Sequence, residues 1–108
     1  MDDYIQFDVT VDDIAAGRKN NPNVCPMALA IKRAINNQFQ VGVGWKHVTI
    51  YGGPIKTVTK NYQVREGINY LNPYEAWVRA FDRGYNVRPF AGQIERESTY
   101  VRQIHDGR

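Results

Sequence analysis

Cys25 is the single cysteine of the 108-residue sequence, and it directly precedes Pro26 at the predicted start of a helix. A thiol at a helix N-terminus can have a lowered pKa, because the helix dipole stabilises the thiolate. A cysteine nucleophile also needs a base, and the two histidines are His47, at a predicted strand bend, and His105, in the C-terminal tail. The spacing brings neither to Cys25. The sequence therefore favours a buried apolar role for this cysteine over catalysis.

No other pattern indicates an enzyme or a cofactor site. One cysteine and two histidines with scattered carboxylates do not make a metal site. Gly42-Val43-Gly44 lacks the third glycine of a dinucleotide-binding fingerprint. Asp12 and Asp13 suit the first turn of a helix, where acidic side chains are favourable. The sequence therefore predicts a protein that is not an enzyme and that has neither cofactor nor metal.

Cationic and aromatic side chains form a second group that could bind a ligand, since guanidinium and ammonium groups bind phosphates and aromatic rings stack on nucleobases. One cationic set is Arg79, Arg83 and Arg88, and the other is Arg18, Lys19, Lys32 and Arg33. The rings that could stack are Trp45, Tyr51, Tyr62 and Tyr85. The alternative is a solvated charged surface over an ordinary core, and the sequence leaves both open.

The overall charge is mildly basic, with 14 Lys and Arg against 11 Asp and Glu. A net charge of +3 permits contact with nucleotides or nucleic acid without requiring it. The N-terminal residues lack the basic and apolar regions of a signal peptide, and no apolar run approaches membrane-spanning length. A single cysteine excludes an internal disulfide but leaves one between subunits open. We therefore expect a cytoplasmic protein without membrane contact.

The helix predicted from Pro26 is the strongest element of the chain. Proline suits the first helical position, and Cys25 then falls at the N-cap. At 100° per residue, one arc collects the side chains that should face the core, which are Met27, Ala28, Ala30, Ile31, Ala34 and Ile35. Leu29 falls on the opposite, polar side beside Lys32 and Arg33. Leu29 is either covered by a loop, simply exposed, or in contact with a partner such as a second subunit.

Period-two alternation predicts the strands. Residues 4–11 alternate, with Ile5, Phe7, Val9 and Val11 on one face. A turn or short helix follows, in which Thr10 and Asp13 form a capping box and Gly17 is the C′ residue.

A second alternating stretch starts at Phe39, and its apolar face comprises Val41, Val43 and Trp45. Gly42 and Gly44 leave the other face bare, so that a helix could pack there or an aromatic ligand could approach. Val48 and Ile50 are out of phase, which predicts a bulge or tight bend near Lys46 and His47.

The second half of the chain has weaker patterns. Gly52-Gly53-Pro54 predicts a turn, and Ile55–Val64 a strand that forms a hairpin with the preceding one. Residues 65–71 are irregular by pattern. A helix follows, with Asn72 at its N-cap, Pro73 at its first position and Gly84 at its end, and it buries Tyr74, Trp77, Val78 and Phe81.

Residues 85–90 should be extended, because Pro89 disfavours helix before it. The tail over residues 91–108 has the weakest pattern, in which Tyr100, Val101 and Ile104 indicate either a final strand or a helical turn. Together the elements predict a single α+β domain over residues 1–108. An antiparallel sheet of three to five strands packs against two α-helices.

Three blocks of the sequence are distinctive: Asp13–Gly17, Cys25–Ala34 and Phe81–Phe90. Through them the chain resembles a set of small uncharacterised proteins encoded by bacteriophages, over roughly residues 5 to 90. It departs from the pattern after Phe90, where a short apolar ending is replaced by residues 92–97 and a longer tail.

The resemblance implies a phage origin and supplies no catalytic residue. Small phage proteins without enzymatic motifs often act by stoichiometric binding, which is an inference from class. We therefore expect a non-enzymatic accessory protein that antagonises bacterial anti-phage defence in the host cytoplasm, by binding a defence protein or a nucleotide second messenger. The alternative is a small nucleic-acid-binding or regulatory phage protein.

Overall fold

The structure, a computed structural model, describes residues 3–52 and 67–97. In chain order its elements are β1 (Tyr4–Val9), α1 (Val11–Ala16), α2 (Pro26–Ala34), β2 (Gln40–Val43), β3 (His47–Tyr51), β4 (Gly67–Leu71), α3 (Glu75–Asp82) and β5 (Phe90–Arg96). The five strands form one antiparallel sheet in the order β1-β5-β4-β3-β2. This confirms the predicted small α+β domain, to which α1 adds a third helix.

The core lies on one face of the sheet, under α2. Alternate strand residues point inward and meet their neighbours in register, as in the pairs Ile5–Ile94 and Val48–Tyr70. From α2 the core takes Met27, Ala28, Ala30 and Ile31, as the helical periodicity predicts. The prediction for Ala34 is wrong: it is exposed, because the helix ends there and Ile35 makes the last contact with the core.

The start of α1 confirms the predicted capping box. The Asp13 backbone N–H donates to the Thr10 hydroxyl at 3.1 Å, and the Thr10 N–H donates to the Asp13 carboxylate at 2.9 Å. Because this box begins the helix at Val11, that residue does not continue β1, as its apolar spacing had predicted. Its side chain is exposed instead.

Gly17 ends α1, but not in the left-handed conformation of a typical C′ glycine. Its backbone is extended, with φ −71° and ψ 158°. A Cβ on Gly17 would lie 2.5 Å from Cδ of Pro26, well inside contact distance. Glycine is therefore required here by the close approach of the first residue of α2.

The phase change near His47 is a chain reversal within a hairpin. Val43 pairs with Val48 across β2 and β3, and the Gly44 N–H donates to the His47 carbonyl oxygen at 2.8 Å. Trp45 consequently lies in the turn, with 46% of its surface exposed. The prediction that it shares the buried face of Val43 is wrong. The strand predicted over residues 55–64 lies outside the described residues, and β3 is paired on both sides, with β2 and β4.

Residues 67–71 form β4 and correct the prediction of an irregular segment. Ile68 and Tyr70 point toward the core between β3 and β5. The alternation of apolar and polar residues covers only Ile68, Asn69 and Tyr70 and is ended by the apolar Leu71, so the pattern alone is too short to indicate a strand. The sequence pattern did not indicate β5, which covers Phe90–Arg96. The final strand or helical turn predicted from Tyr100, Val101 and Ile104 lies outside the described residues.

α3 begins at Glu75, two residues later than predicted, because the chain first makes a turn at Asn72. The Asn72 side-chain oxygen accepts from the Tyr74 N–H at 2.9 Å, so Asn72 still satisfies a backbone donor before the helix. Gly84 ends α3 as predicted, with φ 84°. The Gly84 N–H donates to Phe81 O and the Tyr85 N–H to Ala80 O, which is the Schellman pattern.

The predicted buried face of α3 packs onto the core, and Tyr74 and Trp77 contact β1 and β5. Val78 and Phe81 are buried, while Tyr74 and Trp77 are half-buried. Their rings form a cluster with Phe7 and Phe90. Residues 85–89 form neither helix nor strand, in keeping with the predicted extended segment.

The contact between β4 and β5 is short. It comprises the pairs Tyr70–Arg96 and Leu71–Glu95, after which β4 turns away at Asn72. Farther along β5, the Tyr74 hydroxyl accepts from the Gln93 N–H at 2.9 Å and lies 3.4 Å from the Gln93 carbonyl oxygen, to which it donates. A side chain thus takes the place of the missing strand partner.

Candidate ligand-binding site

A pocket of about 300 Å³ lies where the loop after α1, the β2–β3 turn and α3 meet. The residues that line it come from three segments of the chain and are Asn20, Asn21, Pro22, Cys25, Val43, Gly44, Trp45, Val78 and Asp82. Apolar residues from the core form its base, and amide and carboxylate groups line its sides. The pocket therefore combines an apolar surface with polar groups that can orient a ligand.

Trp45 is held in one orientation although nearly half of it is exposed. The Arg79 guanidinium carbon lies 3.8 Å from the centre of the indole ring. The indole Nε1 lies 3.5 Å from Oδ2 of Asp82, at the long limit of a hydrogen bond. Trp45 lines the pocket whereas Arg79 does not. Arg79 thus covers one side of the ring and leaves other indole surface open to the pocket.

Arg79 is positioned in turn by Glu75, one helical turn earlier. The Glu75 carboxylate accepts from Arg79 at 2.8 Å and lies 3.5 Å from the Lys46 ammonium. The hydrogen bond from Arg79 lowers the pKa of Glu75. The chain Lys46–Glu75–Arg79–Trp45 therefore ties the β2–β3 turn to α3.

Asn72 fixes the same turn from below. Its side-chain nitrogen donates to the Gly44 carbonyl oxygen at 2.6 Å, and its backbone N–H donates to Lys46 O at 2.9 Å. Asn72 is buried, so its donor groups are shielded from water and the bonds are partly protected. The wall that carries Trp45 is consequently formed before any ligand arrives.

Asp82 is the residue that sequence reasoning missed. Its Oδ1 accepts from the Asn20 backbone N–H at 2.9 Å, and its other oxygen faces Trp45. An acidic residue in the last turn of a helix is unfavourable to the helix dipole. Its position in the last turn of α3 could have identified Asp82 from the sequence, because an aspartate there needs a tertiary partner to offset the unfavourable dipole.

The Cys25 thiol lies at the pocket base and is only 3% exposed. Burial raises the pKa of Cys25, and the nearby Asp82 carboxylate acts in the same direction. No histidine lines the pocket, and no three metal-binding side chains cluster within residues 3–52 and 67–97. The arrangement thus disfavours a thiolate at neutral pH.

Three of the predicted cationic residues, Arg33, Lys32 and Arg79, have structural partners or are partly covered, and Arg79 is the one paired with Glu75. Arg33 bonds both carboxylate oxygens of Asp13, at 2.8 and 2.9 Å, and also the Asp8 carbonyl oxygen. This pairing lowers the pKa of Asp13 and raises that of Arg33. Leu29 and Lys32 are half-buried. Leu29 lies one turn before Arg33, hence on the side of α2 that reaches α1.

The remaining predicted cations are exposed. The Lys19 ammonium lies 3.1 Å from the position that a Cβ on Gly84 would take, and so beside the C-terminus of α3, next to Arg83. The two predicted cationic sets therefore meet at this point. None of the four exposed cations, which are Arg18, Lys19, Arg83 and Arg88, pairs with a carboxylate among the described residues.

The other rings predicted to stack on a nucleobase differ in how far they are exposed. Tyr51 lies over Gly42, and its hydroxyl accepts from the Asn23 side chain at 3.0 Å. The glycine face proposed for a helix or an aromatic ligand is thus covered by Tyr51 and Asn23. Tyr85 is 64% exposed, and Tyr62 lies outside the described residues.

Comparisons of this sequence and structure with models of protein families, with curated proteins and with solved structures give no match. Within the described part of the chain, each helix is too short or too polar to cross a bilayer. The case for a function consequently rests on the pocket and the groups around it.

Proposed function

We propose that this protein is a non-catalytic binding protein and that the pocket beside Trp45 takes a nucleotide. The observation that carries the proposal is the fixed, half-exposed indole, with Arg79 on one side and open surface toward the pocket. Aromatic stacking on a base contributes about 1–3 kcal/mol and needs a ring that is already oriented. Buried Asn72 and the Glu75–Arg79 pair provide that orientation.

The groups around the indole match the other parts of a nucleotide. The side chains of Asn20 and Asn21 offer both donors and acceptors, and Asp82 offers acceptors for sugar hydroxyls or base N–H groups. Lys19 and Arg83 lie by the C-terminus of α3 next to Asp82, where they can reach phosphates. A volume of about 300 Å³ is at the small end of ligand pockets, which favours a single nucleoside unit at a time.

In the setting that the phage resemblance implies, such binding would remove a nucleotide second messenger of bacterial defence from the host cytoplasm. Stoichiometric capture requires a fixed pocket and no catalytic group. The raised pKa of Cys25 fits this requirement, because it keeps the thiol protonated. Capture of a defence protein is the competing form of the same proposal, in which the exposed Trp45 would be an anchor in a protein interface.

The test is isothermal titration calorimetry of the purified chain against mononucleotides and cyclic dinucleotides, with thermal shift as a second readout. We expect saturable binding by at least one member and a higher melting temperature in its presence. Trp45→Ala should weaken that binding about tenfold or more. Tyr4→Ala is the matched control, since Tyr4 is equally exposed but lies on β1 at the opposite sheet edge from β2.

Cys25→Ala should bind as the wild type does, because the proposal gives the thiol no chemical role. Absence of binding across the panel would overturn the nucleotide proposal, as would equal losses in Trp45→Ala and Tyr4→Ala. Binding that requires Cys25, with folding unchanged by circular dichroism, would point to an enzyme instead.

The exposed cations favour one second candidate, binding to single-stranded nucleic acid across the same aromatic surface. Arg18, Lys19, Arg83 and Arg88 have no carboxylate partner among the described residues and could contact a phosphate backbone. Such binding should fall steeply as salt increases, through counterion release. Titration of a labelled oligonucleotide at low and physiological salt separates this function from mononucleotide binding.

A further inference from the structure

The two edge strands of the sheet, β2 and β1, differ in whether their outward backbone groups have hydrogen-bond partners. At the β2 edge, the Val43 N–H donates to the Pro22 carbonyl oxygen at 2.9 Å. The Asn23 side-chain nitrogen donates to the Val41 carbonyl oxygen at 3.0 Å. The loop before α2 therefore occupies the outward backbone groups of this strand. The opposite edge, β1, has no comparable cover among the described residues.

The pairing with β5 fixes which backbone groups of β1 point outward. The Arg96 N–H donates to the Asp3 carbonyl oxygen, so Asp3 faces β5, and so do Ile5, Phe7 and Val9 by alternation. The N–H and C=O groups of Tyr4, Gln6 and Asp8 consequently point away from the sheet. Within residues 3–52 and 67–97 their one hydrogen-bond partner is Arg33, which donates to the Asp8 carbonyl oxygen at 2.9 Å.

We propose that this edge pairs with the same edge of a second copy of the chain, antiparallel and centred on Gln6. This register aligns every outward residue of the strand: Tyr4 with Asp8 of the second copy, and Gln6 with itself. It forms a hydrogen-bonded ladder between the two copies, because all of these residues present N–H and C=O groups outward. The Asp8 carbonyl keeps a second lone pair beside its bond from Arg33.

The side chains match the same two-fold arrangement. Tyr4, Gln6 and Asp8 lie on the exposed face of the sheet. Across the two-fold axis a tyrosine hydroxyl donates toward an aspartate carboxylate, and two glutamine amides can bond each other. A self-complementary strand of this kind fits an isologous contact with a second copy better than it fits an unrelated segment. The surface is separate from the Trp45 pocket, which adjoins β2 at the other edge.

The test uses charges at position 6, which faces its own copy across the axis. The wild type should show concentration-dependent mass, up to twice the monomer, in sedimentation equilibrium. Gln6→Lys and Gln6→Glu should each weaken the dimer about fivefold or more, because each places like charges directly opposite. An equimolar mixture of the two variants should recover the dimer, since opposite charges then meet.

Gln93→Lys is the matched control, because Gln93 lies beside Gln6 on the same face but does not face its own copy. It should dimerise like the wild type, and circular dichroism should give the same fold for all variants. The proposal is overturned if the wild type is monomeric up to several hundred micromolar. It is also overturned if both charged variants dimerise fully, or if mixing them recovers nothing.

Discussion

At the scale of single residues, the clearest energetic link is the ion pair between Asp13 and Arg33. The Asp13 carboxylate is almost fully buried, whereas half of the Arg33 side chain is exposed. Asp13 also completes the capping box of α1, so one carboxylate both starts that helix and ties it to α2. Arg33, a predicted ligand-binding residue, is therefore better explained by the fold.

Replacing this carboxylate should give a stability difference that depends on pH. Asp13→Asn should lower the free energy of unfolding at pH 7 by about 1–2 kcal/mol, less than for a fully buried pair because Arg33 is half solvated. The Arg33 hydrogen bond lowers the pKa of Asp13 in the folded state. The difference should be complete above the unfolded pKa of about 3.9 and shrink as the pH falls through the lowered folded value.

Urea unfolding of the wild type and of Asp13→Asn at pH 7 and at pH 2 measures this difference. Asp12→Asn, at an exposed neighbouring position, is the control and should change stability by less than about 0.5 kcal/mol. A difference between wild type and Asp13→Asn that stays constant down to pH 2 would contradict the assigned role of the ion pair.

At the scale of elements, Gly17 and Gly42 should respond differently to replacement by alanine. Gly17→Ala would place a Cβ 2.5 Å from Pro26, so we expect a loss of about 1–3 kcal/mol from overpacking between α1 and α2. Gly42→Ala meets its nearest atoms at 3.7 Å, an ordinary contact, and should be nearly neutral. Thermal unfolding of both variants measures the two changes in stability. Equal changes would mean that the contact between Gly17 and Pro26 leaves room for a methyl group.

The turn that carries Trp45 should be sensitive to Asn72. Asn72→Ala removes two side-chain bonds and leaves the Gly44 carbonyl oxygen, which is partly shielded from water, without its donor. We expect a loss of about 1–3 kcal/mol in stability. Ligand affinity should fall as well, although Asn72 does not line the pocket. Calorimetry at a temperature where the variant is fully folded measures this, and unchanged affinity would mean that the turn orients itself without Asn72.

The same elements show how far the sequence determines the structure. Patterns among neighbouring residues were enough to predict β1, the capping box and α2, because each of these depends on residues only a few positions apart in the sequence. The tight bend near Lys46 and His47 was predicted, but not that it reverses the chain into the β2–β3 hairpin, because Val41, Val43 and Trp45 alternate as one strand would. The pocket depends on contacts between residues distant in the chain, such as Asn20 with Asp82, which no local pattern contains.

At the scale of the whole molecule, hydrogen exchange should alternate along β1. The N–H groups of Ile5, Phe7 and Val9 bond β5 and should exchange slowly, whereas those of Tyr4 and Gln6 point outward and should exchange fast in the dilute monomer. Exchange followed by NMR at low and high concentration measures this, and the outward amides should become protected as the chain associates. Uniform protection along β1 in the dilute monomer would mean that another segment already covers the edge.

The Tyr74 hydroxyl bonds the Gln93 backbone at the short border between β4 and β5, which we call the seam of the sheet. On one side of it lie β1 and β5, and on the other β4, β3 and β2. Among the described residues the two sides are joined at this border by two residue pairs, by the bond from the Glu97 N–H to the Asn69 carbonyl oxygen, and by the Tyr74 side chain. The chain from β1 to β2 runs through α2, so this helix spans both halves. If the molecule were pulled apart mechanically across the sheet, the seam would open first. The load would then pass to α2, and the two halves would separate only when its buried side chains left the core.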